Sequence, residues 1–103
     1  MFTCEIEGCP IAIFVSDHAE LRMRERSVQK FACYGSIIAI GEDLLDMKHG
    51  DEFCIMDKEL DIAVVCGLHA RGMEVSIEII TVLDSHMFFA KDGTRVFKLE
   101  ATV

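Results

Sequence analysis

Residues Glu74 to Val82 read Glu-Val-Ser-Ile-Glu-Ile-Ile-Thr-Val, with Val75, Ile77 and Ile79 alternating against Glu74, Ser76 and Glu78. Successive side chains of a strand point to opposite faces. The segment therefore predicts a half-exposed strand, apolar on one side and solvated on the other, of the kind found in antiparallel sheets. One apolar face demands a cover. In a chain of 103 residues the cover must come from a few helices packed on that same sheet.

The remaining segments fit that demand. Phe2 to Ile6 alternates weakly, Gly8-Cys9-Pro10 reads as a turn, and Ile11-Ala-Ile-Phe-Val15 is short, apolar and β-branched, a buried-strand pattern. Ser16 and Asp17 offer N-cap side chains, with Glu20 three positions after Asp17 as in a capping box, so a helix opens near His18. It breaks near Arg26-Ser27, where Ser27 caps a second helix running to about Met47 and stopped by Lys48-His49-Gly50. Strands follow at Glu52–Met56 and Asp61–Leu68, with a polar turn at Asp57–Glu59 and another at Arg71-Gly72. A last hairpin is expected from Met87–Phe89, Lys91-Asp92-Gly93-Thr94 and Arg95–Leu99. The expected order is one strand, two helices and then a run of antiparallel strands, in a single α+β domain.

Composition narrows the function. No apolar run approaches the roughly 20 residues that span a bilayer, and Met1 to Glu7 does not read as a secretory leader, so a cytoplasmic protein without a membrane partner is expected. The five cysteines are odd in number and irregular in spacing, as for reduced thiols. The net charge of −8 opposes broad nucleic-acid binding. The charge is uneven. Glu42 to Asp61 concentrates acids, which read as a solvated face or a dock for a basic partner, whereas Arg22, Arg24, Arg26 and Lys30 cluster around one acid, Glu25.

That cationic segment carries the one constellation with chemistry. His18, Arg22 and Arg26 are spaced by four, and a helix turns about 100° per residue, so the three form one stripe. Ala19 and Met23 lie beside it and face the core. A histidine moves protons near neutral pH, and two arginines hold a phosphate and its developing charge. The stripe suits phosphodiester cleavage without a metal or other cofactor. It equally suits a solvated helix face in which Arg22 pairs with Asp17 or Glu25. His69 and Arg71, at a predicted hairpin end, are expected either to line the same cleft as substrate-binding groups or to be polar turn content. A zinc site from Cys4, Cys9, Cys66 and His69 is disfavoured, because Cys66 and His69 are three apart on a strand and face opposite ways. Cys33 as a nucleophile lacks a base placed by sequence.

Asp17-His18-Ala19-x-x-Arg22-Met23-x-x-Arg26, with Ile79-Ile80-Thr81-Val82 later in the chain, resembles a widespread family of small bacterial domains with an H-A-x-x-R-M-x-x-R motif. That family is similar in layout to the RelE, ParE and BrnT toxins of toxin–antitoxin systems. The resemblance runs from about Ser16 to Leu99. It implies a RelE-like β-α-α-β-β-β(β) domain over 1–103, an antiparallel sheet covered by two helices. It further implies a metal-independent endoribonuclease with His18 transferring protons, Arg22 and Arg26 holding phosphate, and Thr81 as a polar contact from the sheet. RNA or the ribosome, an antitoxin-like protein and a second copy of the chain are the implied partners. The acidic charge and the C-terminus Leu99-Glu-Ala-Thr-Val depart from the usual basic toxins, so the endoribonuclease is favoured only narrowly over the alternative, a non-catalytic protein-binding module on the same fold using its acidic surface.

Overall fold

The computed structural model describes residues 1–91 and 93–99. The chain runs β1 (Phe2–Ile6), β2 (Cys9–Val15), α1 (Asp17–Glu25), α2 (Lys30–Ala39), α3 (Gly41–Leu44), β3 (Glu52–Asp57), β4 (Ile62–Arg71), β5 (Glu74–Asp84), a 3-10 turn (Ser85–Met87) and β6 (Arg95–Leu99). The six strands form one sheet in the order β1-β2-β5-β4-β3-β6. None of the helices formed by the described residues is long and apolar enough to cross a membrane.

The α+β class matches the expectation, but the sheet is mixed rather than antiparallel. β1–β2, β3–β4 and β4–β5 pair antiparallel, whereas β2–β5 and β3–β6 pair parallel. Alternation reports which face of a strand is covered, not the direction of its neighbour. Both parallel contacts join strands remote in sequence, where local patterning carries no signal.

Four local expectations also change. The first turn is Glu7-Gly8, both with positive φ (52° and 77°), and the register Ile6↔Cys9 makes β1–β2 a two-residue hairpin. Cys9 and Pro10 therefore open β2 instead of turning. The long second helix is two: α2 ends at Ala39 and α3 begins at Gly41. A Cβ on Gly41 would lie 3.0 Å from Cγ2 of Ile6, so glycine here lets β1 approach the helical joint. Ser27 does not cap α2. It takes a left-handed φ of 56°, and Gln29 stands at the N-cap without a side-chain bond. Finally, Met87–Phe89 forms no strand, and β6 pairs with β3 instead of closing a hairpin. Of the expected turn Lys91–Thr94, Asp92 lies outside the described residues, as do residues 100–103.

The core lies between the helices and one sheet face. Ile11 and Ile13 of β2, Val64, Cys66 and Leu68 of β4, and Ile77, Ile79 and Val82 of β5 meet Ala19, Met23, Cys33 and Ile37 from α1 and α2. Each fully buried Ile or Met contributes about 1.5–3 kcal/mol relative to exposure. The β5 alternation breaks once. Cys66 pairs with Ile79 and Val65 with Thr81, leaving Ile80 as a bulge, which returns Val82 to the core face.

Candidate functional site

The expected stripe is present as helix. Ser16 accepts the Ala19 N–H at 3.0 Å and its hydroxyl donates to the Ile80 carbonyl at 2.8 Å, which fixes the start of α1 onto β5. Asp17 and Glu20 occupy the first turn and Arg22 and Arg24 the last, the arrangement the helix dipole favours. Ala19 and Met23 are buried, as their spacing requires.

The stripe's charges are occupied. Nη1 of Arg22 donates to both Glu25 oxygens, at 2.9 and 3.2 Å. Nε of Arg26 donates to Oδ1 of Asp84 at 3.1 Å. Lys30 pairs with Glu20 at 3.2 Å. His18 is exposed at the first turn. Each guanidinium of the stripe thus already holds a carboxylate, and neither cleft described below is lined by His18, Arg22 or Arg26.

The other expected site residues lie elsewhere. His69 pairs with Ser76, and Arg71 with Glu74, at the end of the β4–β5 ladder. Their register puts both on the sheet face away from the helices, opposite to Val64, Cys66 and Leu68. The sheet therefore separates His69 and Arg71 from His18, and a shared cleft is ruled out. The His69 ring stands 5.9 Å from that of His49, whose Nδ1 accepts the Ala70 N–H at 3.1 Å, leaving Nε2 to carry the hydrogen. Thr81 follows the bulge on the same outer face. Its Oγ1 is buried and has no hydrogen-bond partner among the described residues.

Five of the eight acids of Glu42 to Asp61 fall into two groups. Asp51 accepts the Lys48 N–H at 2.8 Å, Asp57 accepts the Glu59 and Leu60 N–H groups, and Asp61 accepts the Ser85 hydroxyl. These carboxylates build turns. Glu42 and Asp43 do not. They sit on α3 beside the first hairpin, and Glu5, Glu7, Glu42 and Asp43 are among the residues lining one groove of about 430 Å³ with Ile38 and Ile40, although the pairing Glu5↔Pro10 directs the Glu5 side chain to the sheet face away from the helices. No ion pair among the described residues neutralises any of the four. Glu5 and Glu7 escaped the sequence reading because they join Glu42 only through the packing of Gly41 on Ile6.

The three buried thiols offer no chemistry at neutral pH. Burial pushes Cys33 up to about 11, with Asp57 adding to the rise, and Cys54 up to about 12. Cys66 is driven well above the ordinary thiol value by burial, then by Cys54 and Cys33. Such thiols stay protonated and unreactive. Among the described residues no three His, Cys, Asp or Glu side chains are grouped to hold a metal ion. Compared with known proteins, the chain matches no protein-family model, no curated protein and no solved structure.

Proposed function

We propose that the chain is a RelE-, ParE- or BrnT-like toxin-fold domain working in the cytoplasm as a non-catalytic module, one that docks a basic segment of an antitoxin-like partner protein on its acidic groove. The element order β2-α1-α2-α3-β3-β4-β5 is compatible with the family likeness, with the short α3 as an addition to the helical layer and β1 and β6 as additions at the sheet edges. The observation that carries the docking role is the gathering of four acidic residues, Glu5, Glu7, Glu42 and Asp43, along one groove, with no counter-ion to any of them among the described residues. Like charges gathered on a protein of net charge −8 repel one another. A cationic segment relieves that repulsion, and half-exposed Ile38 (46%) gives it an apolar contact.

A second reading keeps the endoribonuclease. It is favoured by exposed His18 sharing one face of α1 with Arg22 and Arg26, and it requires Arg22 and Arg26 to leave Glu25 and Asp84 for phosphate. Tightly controlled expression separates the two readings. On the docking reading, growth and cellular RNA are unaffected by wild type and by His18→Ala alike. Arrested growth with degraded RNA, relieved by His18→Ala, establishes the endoribonuclease instead.

A further inference from the structure

β2 is apolar on both faces, and the helices cover only one. Ile11 and Ile13 enter the core, while Pro10, Ala12 and Phe14 face the other way. A half-exposed strand normally carries polar groups there. Instead these residues line a cleft of about 480 Å³, within the range of small-molecule sites, with Met73 of the β4–β5 turn at its rim. Phe14 is 45% and Met73 92% exposed.

The polar groups of the cleft are as specific as its apolar ones. Arg71 and His69 project into it from the end of β4. Among the described residues Arg71 makes no ion pair, although the register sets Glu74 opposite. Its guanidinium donors are open at the mouth of an apolar cleft, on a protein of net charge −8. The His69 ring lies over Gly67, where an added Cβ would meet Nε2 of His69 at 3.9 Å.

We propose that this cleft binds a small amphipathic carboxylate of the medium-chain fatty-acid class. The alkyl chain lies on Pro10, Ala12 and Phe14, and the carboxylate is held by Arg71 with His69 beside it. A guanidinium matches a carboxylate with two parallel N–H donors, and the chain removes Phe14 and Met73 from water. Glu74 is the carboxylate of the same rim and opposes the ligand's charge.

The test is displacement of the fluorescent apolar anion anilinonaphthalene sulfonate from the whole chain by decanoate, decanol and decylamine. Decanoate is expected to displace the dye at the lowest concentration. Arg71→Gln is expected to weaken decanoate about tenfold, the loss of one charge-assisted contact, and to leave decanol unchanged. Glu74→Gln is expected to tighten decanoate several-fold. Neutralising Glu42 and Asp43, in the separate acidic groove on α3, leaves decanoate unaffected, so this inference stands or falls apart from the docking role. Absence of saturable decanoate binding, or equal affinity in wild type and Arg71→Gln, overturns the proposal.

Discussion

Arg26, the residue closing α1, donates from Nε to Oδ1 of Asp84 at the end of β5, 3.1 Å away and 58 residues distant in sequence. The Arg26 side chain is 20% exposed and that of Asp84 41%. Such a partly solvated pair is worth at most about 1 kcal/mol. Arg26→Ala is expected to lower stability by about that amount in urea denaturation. A double-mutant cycle with Asp84→Asn should return most of it as coupling. Asp84→Asn also frees Arg26, and RNA incubated with that variant is expected to stay intact.

Ser16 acts at both ends of its hydroxyl, accepting from Ala19 and donating to Ile80. Loss of an N-cap alone costs about 1 kcal/mol, and the Ile80 carbonyl loses a partner as well. Ser16→Ala loses both bonds and is expected to destabilise by about 1–2 kcal/mol, and Ser16→Asp by less, because a carboxylate still accepts from Ala19 but cannot donate to Ile80. Amide exchange should quicken first at Ala19. Equal stability of the Ala and Asp variants would contradict the two-ended role.

Gly41 gives the chain its closest approach between β1 and the helical joint. Gly41→Ala forces its methyl against Cγ2 of Ile6 and is expected to cost about 1–3 kcal/mol, the range for overpacking. Ile6→Ala in the same chain removes the clashing atom, so the double variant should be more stable than additivity predicts. The same strain should loosen the acidic groove, since Gly41 joins α2 to the acids of α3.

The buried thiols set a limit at high pH. Cys33 and Cys54 are held at about 11 and 12 against an ordinary 9.0. Below pH 9 both states keep the thiols protonated and the burial contribution is complete. Above it the unfolded chain ionises first, so folding stability falls as pH rises toward 12. Denaturation midpoints are expected to decline over that window, and less steeply in Cys54→Ala. At pH 8 a thiol reagent should label half-exposed Cys9 ahead of Cys33, Cys54 and Cys66.

Local order was legible where one principle decided it. The alternation of Glu74 to Ile79, the Ser16 cap, the break at Arg26 and the core positions Ala19 and Met23 all appear as their spacing requires. What escaped depends on long-range pairing. The direction of β2 beside β5 and of β6 beside β3 has no local signature, and neither does the close approach of Ile6 to Gly41 at the break between α2 and α3. The site divided in the same way. Spacing placed His18, Arg22 and Arg26 on one helix face, but Asp84, which occupies Arg26, comes from the far end of the chain. His69 and Arg71 were legible as site candidates, yet the sheet puts them on the opposite face. The acidic groove needed Glu5 and Glu7, which pattern reading assigned only to a weak strand and its turn.

The docking role is tested most directly by fluorescence anisotropy of a labelled basic amphipathic peptide, titrated with wild type and with a variant carrying Gln at positions 5, 7 and 42 and Asn at 43. Binding by wild type that weakens with added salt, and falls at least about tenfold in the variant, is the predicted result, since each tenfold step is about 1.4 kcal/mol and exposed charges are screened beyond about 10 Å at 0.1 M salt. Equal affinity of the two proteins for the peptide would contradict the account.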